Sequence, residues 1–327
     1  MEKIIIIDSG LNTNRSDLFE KVIGGITIEK DLITNNITFN KNIADENGHG
    51  TYCAETILTI TPNVEFFIIK IVGALGYTSS ELLIKALEIC ENIDIRIICI
   101  SLSVIKDGHH ENLRLILDRL NKNGKLICVS VQNGKENSIP ANYASTIGVR
   151  GKIFLDNSLY IYSGNNKTAY FDSTPIFIES IDGSYLFFNG NSKANAICAG
   201  HIAKLLEEHN HCTNMQLKYL LKDTSKGEMT RSSKKEIVIL EDVINKSDAN
   251  LFQELVYEFS GIKPNKAELT YITPVIALKN GISFANFYEF LQIVKKTLNV
   301  SINYKKVSFS DVYYLGNFIS YLKGLRK

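Results

Sequence analysis

Short apolar runs alternate with longer amphipathic stretches over the first 150 residues of the chain. The runs are rich in Ile and Val and apolar on both faces, which is typical of strands covered on two sides. The predicted strands are Lys3–Ile7, Val64–Ile71, Ile95–Ser101, Lys125–Val131 and Thr146–Val149, and the predicted helices span about residues 49–60, 79–91 and 110–123. This alternation predicts an α/β fold built on a doubly wound parallel sheet.

The pattern changes after residue 150. Residues 151–190 are rich in Tyr, Phe, Ser, Asn and Gly, and they predict short antiparallel strands and loops. A helix is then predicted from Ser192 to about Glu208, and another at about 213–222. A polar stretch follows at 223–236.

A second domain is expected at the carboxyl end. The apolar run 237–244 is expected to close the first domain, and residues 245–249 have the composition of a linker. From there to Lys327 the pattern is helical, with no strand alternation. We therefore expect an α/β domain at 1–247 and a small all-α bundle at 248–327.

Composition mainly excludes classes of protein. With 327 residues, 45% hydrophobic and 22% charged, the chain has the make-up of a folded globular protein. A net charge of +1 gives no reason to expect nucleic acid as a partner. No apolar stretch approaches the roughly 18–20 residues of a membrane span, and the apolar run near Met1 is too short for a signal peptide. We therefore expect a cytoplasmic protein with no membrane partner.

Six cysteines are scattered along the chain without a CxxC pair. They are Cys53, Cys90, Cys99, Cys128, Cys198 and Cys212. Several of them fall in apolar runs that predict core elements. Buried, reduced thiols are therefore expected rather than disulfides or metal ligands.

Four polar side chains stand where catalytic groups collect in a parallel sheet. Asp8 ends the first predicted strand and Asn133 follows another, and such groups gather beyond the carboxyl ends of strands. His49 and Ser192 each follow a Gly-containing turn that leads into a helix. At Ser192 the backbone dipole and free N–H groups of the helix start favour negative charge that develops nearby. Alone, each residue is more often a helix cap or a structural group. Together and in this order, they indicate an active site.

The residues around these four positions resemble the subtilisin-like serine proteases over about residues 1–247. The run IIIIDSGLN, which contains Asp8, is similar to the family's Asp motif. Asp45-Glu-Asn-Gly-His-Gly-Thr51 is similar to the His motif, and Gly190-Asn-Ser-Lys-Ala194 is similar to the Ser motif. The chain order Asp, His, Ser is also that of the family.

The resemblance implies a serine endopeptidase with the catalytic triad Asp8, His49 and Ser192 and with Asn133 in the oxyanion hole. It also implies that the strand residues Ser101, Leu102 and Ser103 line the substrate cleft. No cofactor is implied, and no carboxylate cluster indicates the calcium site that the family often has. The expected partner is a peptide or protein substrate, for example a specific precursor that the enzyme matures.

An alternative is a subtilase fold that grips a peptide without cutting it. Five positions depart from the family pattern, although none removes a catalytic atom. Asn191 stands in place of Thr, Ala196 in place of Pro, and Gln132, Glu55 and Ser103 in place of Gly. These changes are expected to alter the substrate pocket. The family's amino-terminal propeptide has no counterpart before Asp8, so we expect folding without that aid.

The carboxyl-terminal segment resembles an acyl carrier (phosphopantetheine-binding) domain in the order of its helices and long loop. Residues 281–289 occupy the position of that family's Gly-x-Asp-Ser motif, and either Phe284 or Ser283 falls at the prosthetic-group Ser. Carrier domains are usually acidic, whereas residues 249–327 carry a net charge of +5. We expect a carrier-like fold without the prosthetic arm, used to dock a partner. A generic helical bundle and a working carrier are the alternatives.

Overall fold

The computed structural model describes residues 1–31, 33–104, 108–135, 138–164, 169–226 and 244–325. These residues form two compact units. Of the described residues, 1–174 and 189–226 belong to the first unit, and 175–188 and 244–325 to the second. No helix in the described part of the chain has the length and apolar character that crossing a membrane requires.

A nine-stranded sheet forms the centre of the first unit. Its strands are β1 (Glu2–Asp8), β2 (Val22–Lys30), β3 (Ile37–Asn40), β4 (Val64–Lys70), β5 (Ile97–Ile100), β6 (Leu126–Ser130), β7 (Ile147–Lys152), β8 (Tyr160–Tyr162) and β9 (Ala169–Asp172). Their order is β3-β2-β4-β1-β5-β6-β7-β9-β8. The seven strands between the two edge strands pair in parallel with one another. The edge strands β3 and β8 each pair antiparallel with their one neighbour. The predicted α/β fold is confirmed.

Two of the sheet's strands were not predicted. Strand β2 contains Gly24 and Gly25 and is only partly buried, so its sequence lacks both a continuous apolar run and a clean alternation. Its antiparallel neighbour β3 is mostly exposed. Both strands gain their pairing from the sheet itself, since β2 lies beside the buried strand β4.

Helices cover both faces of the sheet. They are α1 (Ser16–Phe19), α2 (His49–Ile60), α3 (Ser80–Cys90), α4 (His110–Lys122), α5 (Gly190–Glu208) and α6 (Asn214–Asp223). Helices α3 and α4 share a core with Ile5 and Ile7 of β1, while α2 and α5 also contact β1. Because successive strand residues point to opposite faces, a strand covered on both sides must be apolar throughout. All four residues of Ile4–Ile7 are accordingly buried.

Strand β1 lies where the strand order reverses. Its neighbours are β4 on one side and β5 on the other. After β1 the chain builds β2, β3 and β4 on one side and then crosses over to build β5, β6 and β7 on the other. In open α/β sheets a crevice opens at such a point, outside the carboxyl ends of the strands. Asp8 is the last residue of β1, paired in register with Lys70 at the end of β4.

The second unit combines helices with one β-hairpin. Its described elements are β10 (Ile176–Glu179), β11 (Tyr185–Phe188), α7 (Lys246–Ser260), α8 (Phe287–Leu298), α9 (Phe309–Val312) and α10 (Leu315–Leu325), with short 3-10 turns at 266–268, 278–280 and 304–306. Its core is aromatic, and Phe252, Phe287 and Phe290 are fully buried. The hairpin contributes to this core because the ring of Phe187 lies 5.3 Å from that of Phe287 and 4.9 Å from that of Phe177.

This division differs from the expected boundary at 247/248. The predicted C-terminal helical region is present, but its unit also includes the hairpin, whose residues lie within the range predicted as short strands of the first domain. Helix α7 begins inside the expected linker, because the Asn245 side chain caps it by accepting a hydrogen bond from the Asp248 N–H at 2.9 Å. Residues 237–243 of the predicted closing element lie outside the described residues.

All six cysteines are free in the structure. Five are buried, and Cys212 is partly exposed. The Cys198 thiol donates to the Cys128 sulfur at 3.9 Å, and no disulfide joins the two.

Replacing Phe187 by Ala is expected to destabilise the second unit, because its ring, 7% exposed, is part of that unit's core. The expected cost is about 3–5 kcal/mol. Hydrogen exchange of the α7 and α8 amides should report the loss of protection. The matched control is Leu278→Ala in the same unit, since Leu278 is 87% exposed and its loss should cost less than about 0.5 kcal/mol. Unchanged protection of α7 and α8 in Phe187→Ala would contradict the assignment of the hairpin.

Candidate active site

Asp8 and His49 meet because the end of β1 and the start of α2 approach each other closely. A Cβ atom on Gly50 would lie only 2.3 Å from the Gly10 carbonyl oxygen, so this approach requires glycine. His49 Nδ1 lies 2.8 Å from Asp8 Oδ1. Since an ionised carboxylate can only accept, Nδ1 carries the proton in this pair. The Ser9 N–H also donates to Asp8 Oδ1, at 2.8 Å.

A second carboxylate fixes the loop that carries His49. Asp45 Oδ1 accepts hydrogen bonds from the Asn47 and Gly48 N–H groups at 3.0 and 2.7 Å. Its Oδ2 accepts from the Thr51 N–H and hydroxyl at 3.0 and 2.6 Å. Asp45 therefore accepts from otherwise free N–H groups at the start of α2. Because these groups lie both before and after His49 in the sequence, Asp45 fixes the backbone on either side of it.

The surroundings of His49 raise its affinity for a proton. Burial alone would lower the pKa of the imidazole, but the charge and hydrogen bond of Asp8 outweigh burial. They hold that pKa well above its ordinary value of 6.5. The imidazolium form is therefore stabilised at this position.

Ser192 lies in the first turn of helix α5, two residues after Gly190. Gly190 has φ +84°, a conformation that favours glycine, and it turns the chain into the helix. Ser192 is half-buried, and its hydroxyl donates to the Ser101 carbonyl at 3.3 Å. Asn195, one turn further along, donates to the Ile100 carbonyl and the Ser101 hydroxyl, both at 3.1 Å. Helix α5 is thereby joined to the segment that follows β5.

Asn133 lies in the turn after β6 and contacts the residues just before Ser192. Its Oδ1 accepts a hydrogen bond from the Asn191 N–H at 3.3 Å. Both Oδ1 and Nδ2 lie 3.5 Å from the point where a Cβ on Gly190 would stand. The Nδ2 group of Asn133, which has two hydrogen-bond donors, therefore lies beside the turn that leads to Ser192.

A cavity of about 570 Å³ opens at the carboxyl ends of the central strands. Its walls include Asp8, His49 and the segment Ser101–Ser103. The five predicted residues of this wall therefore meet at one place, and Ser192 joins them through its bond to Ser101. A larger groove of about 700 Å³ near Lys218 and Lys222 contains none of the predicted residues.

Cys53 is the third member of a group that could hold a metal ion. Its sulfur lies 3.9 Å from Asp8 Oδ2 and 4.0 Å from His49 Nδ1, and the donor atoms of the three residues lie within 4.8 Å of one another. Burial raises the pKa of the Cys53 thiol, which disfavours the thiolate that binds metals. A metal here would also displace the Asp8–His49 hydrogen bond. We therefore describe Asp8 and His49 as a hydrogen-bonded pair.

Two of the departures from the family pattern have specific partners in the structure. The Asn191 carboxamide accepts from the Gly151 N–H and donates to the Val131 carbonyl, both at 2.7 Å. Glu55 forms an ion pair with Arg15 at 2.9 Å. Both side chains link neighbouring segments of the first unit.

The comparison with known families decides the classification. The sequence model of the Subtilase family matches residues 2–249, about three quarters of the chain. The chain belongs to the subtilase family. The region matched contains Asp8, His49, Asn133 and Ser192.

Individual subtilases agree with this assignment. Subtilisin amylosacchariticus of Bacillus subtilis subsp. amylosacchariticus is 25% identical over 242 residues, and alkaline elastase YaB of Bacillus sp. (strain YaB) is 25% identical over 236. Each alignment covers 68% of this chain, but the chain spans only about 60% of the length of these relatives. A crystal structure of a cold adapted subtilisin-like serine proteinase shares the fold, with a TM-score of 0.55, 22% identity and coverage of 68% of this chain and 81% of that one.

Two residues that shape the site were missed by the sequence analysis. Asp45 lies inside the quoted His motif, four residues before His49, so its position was available as a signal. Asn195 offered no such signal. A polar residue in the helix that follows Ser192 becomes informative only when β5 is found beside it.

The pKa of His49 in the folded protein is expected to exceed 6.5, because the Asp8 carboxylate stabilises its charged form. NMR titration of the His resonances measures it. Asp8→Asn should lower that pKa. The buried His201 serves as an internal control, since burial lowers its pKa and Asp8 is not among the groups that affect it. A wild-type His49 pKa at or below 6.5 would contradict the geometry.

The same shift links stability to pH. Because the folded state binds the His49 proton more tightly, the pair contributes its full stabilisation below the unfolded pKa of about 6.5. That contribution is lost as the pH rises through the higher folded pKa.

Proposed function

We propose that this protein is a serine endopeptidase with Asp8, His49 and Ser192 as its catalytic triad. The observation that carries the proposal is the 2.8 Å hydrogen bond between His49 and the buried Asp8 at the reversal point of the sheet. Ser192 opens a helix beside the same cleft, bonded to Ser101. Membership of the subtilase family supports the same reaction class.

The chemistry proposed is acyl transfer. Ser192 Oγ turns from the Ser101 carbonyl, gives its proton to His49 Nε2 and attacks the scissile carbonyl. Asp8 keeps the proton on Nδ1, so Nε2 is free to act as the base. As the C–N bond breaks, His49 returns the proton to the leaving amine. Water then attacks the acyl-enzyme by the same route and regenerates the Ser192 hydroxyl.

Asn133 is proposed to stabilise the oxyanion of the tetrahedral intermediate. Its Nδ2 group and the Ser192 N–H are the two donors, and the contact between Asn133 and the turn at Gly190 supports this role. Preorganised donors of this kind act where negative charge develops, in a site from which water is excluded.

The proposed substrate is an extended segment of a peptide or protein laid along Ser101–Ser103, which forms one wall of the cavity. Ser103 and Gln132 bear side chains where the family usually has Gly. Ser103 lines the cavity, where its side chain reduces the space and supports a narrow range of substrates. Maturation of a specific precursor is the biological role that we propose on this basis.

The alternative candidate is a peptide-binding module that does not cut. It is favoured by one observation, the bond from the Ser192 hydroxyl to the Ser101 carbonyl, which directs the proton of the hydroxyl away from a base. In this reading the cleft would hold a peptide while Ser192 stayed unreactive.

For the second unit we propose a docking role without a prosthetic group. Ser283 and Phe284 precede α8 instead of opening it, and the Ser283 hydroxyl donates to Asn286 at 3.0 Å. Phe284 is engaged with the rings of Phe187 and Phe309 at 5.4 and 6.1 Å. These contacts do not favour a modifiable Ser, and the net positive charge supports an acidic partner protein.

We further propose that the protein works in the cytoplasm. The support is its six free thiols, five of them buried, a pattern suited to a reducing compartment.

A fluorophosphonate probe should label the wild-type protein at Ser192, and Ser192→Ala should abolish labelling. The rate of labelling should rise with pH through the raised pKa of His49, because only the neutral imidazole can accept the Ser192 proton. Intact-mass measurement with peptide mapping locates the label. Ser103→Ala is the matched control and should still be labelled. A folded wild-type protein that stays unlabelled at all pH values would support the binding module instead.

A further inference from the structure

A lysine directly after the proposed nucleophile is completely buried. Lys193 has no exposed surface although it lies in the first turn of α5. Its ammonium donates to Asp172 Oδ2 at 2.8 Å, to Asn157 Oδ1 at 3.0 Å and to the Asp172 carbonyl at 3.3 Å. All three N–H donors of the ammonium therefore have acceptors.

The carboxylate that receives this lysine is fully hydrogen-bonded as well. Asp172 ends strand β9 and is 1% exposed. Its Oδ1 accepts from the Phe154 N–H at 2.8 Å and from the Thr174 hydroxyl at 2.6 Å, and its Oδ2 also accepts from the Thr174 N–H at 3.2 Å. The ion pair is thus a built connection between the end of β9 and the start of α5.

Stability alone is a poor explanation for such a pair. Burying two charges costs several kcal/mol per ion, and an apolar replacement of similar volume is often neutral or stabilising. The pair instead provides structural specificity. A fully hydrogen-bonded ammonium and carboxylate fix the relative position of the two segments that carry them.

The path of the chain explains why the start of α5 needs to be fixed relative to the end of β9. Asp172 stands two residues before the chain leaves the first unit, and Lys193 stands four residues after it returns. Between them lies the hairpin β10–β11, which packs in the core of the second unit. Ser192 therefore follows a segment, 175–188, whose side chains pack in the second unit and not in the first. The Asp172–Lys193 pair joins the two ends of this excursion within the first unit.

We propose that Lys193 and Asp172 are positioning residues that hold the start of α5, and with it Ser192, in the geometry needed to attack the substrate. The proposal rests on Ser192 being the nucleophile of the proposed function. On the other side of Ser192, Asn191 is tied to Gly151 and Val131. Both neighbours of the nucleophile are thus anchored to strands of the first unit.

The test compares fluorophosphonate labelling rates of the full-length protein with its variants. Lys193→Met and the double variant Lys193→Met with Asp172→Asn should both be labelled about 10-fold to 100-fold more slowly than wild type, since small displacements of a reacting group have effects of this size. The loss should lie in the maximal rate of inactivation and not in the affinity for the probe. The double variant leaves no unpaired buried charge, so its melting temperature should stay closer to wild type than that of Lys193→Met.

The control is Lys125→Met. Lys125 is also buried, at 8% exposure, and its ammonium donates to the carbonyls of Ile93 and Ile95 at the opposite end of the sheet. This variant should lose stability without losing labelling rate per folded molecule.

Four outcomes would overturn the proposal. Labelling of both Lys193 variants within about twofold of wild type would assign the pair no positioning role. If the double variant recovered its labelling rate together with its melting temperature, the effect would be one of stability. The same would follow if Lys125→Met lost as much labelling rate as Lys193→Met. If wild type itself is not labelled, the proposed function fails, and this inference fails with it.

Discussion

The buried charge of Asp8 is the constraint on which the rest of the site depends. A carboxylate at 1% exposure needs hydrogen-bond donors, and the structure supplies them from His49 and from the Ser9 backbone. That requirement places the start of α2 against the end of β1, which in turn demands glycine at position 50. The same bond orients the imidazole and raises its pKa. One electrostatic need therefore accounts for a backbone contact, a side-chain orientation and a proton affinity.

The other half of the site depends on helix α5, whose start must be set against four different strands. Asn191, Lys193 and Asn195 make these connections, to the ends of β6 and β7, to β9 and to β5 respectively. None of these contacts is local in sequence. The start of the helix, with Ser192, is held by polar side chains that reach across the sheet, while the apolar side of the same helix packs in the core.

Much of this could be predicted because its signals are local. The apolar run of β1 ends at Asp8, and Gly-containing turns mark the starts of α2 and α5, so strands, helices and candidate residues follow from short stretches of sequence. The hairpin at 176–188 and the burial of Lys193 could not be predicted in this way. Both depend on partners far along the chain, namely the aromatic rings of the second unit and the carboxylate of Asp172. A lysine is ordinarily an exposed residue, and only its acceptors show that this one is not.

The most direct test of the account is a crystal structure of the protein after reaction with a fluorophosphonate. We expect phosphorus bonded to Ser192 Oγ and His49 Nε2 within hydrogen-bond distance of the adduct. The phosphonyl oxygen should accept from both Asn133 Nδ2 and the Ser192 N–H, with the Asp8–His49 bond retained. An adduct on another residue, or a phosphonyl oxygen directed away from Asn133 with His49 out of reach, would contradict the assignment of the active site.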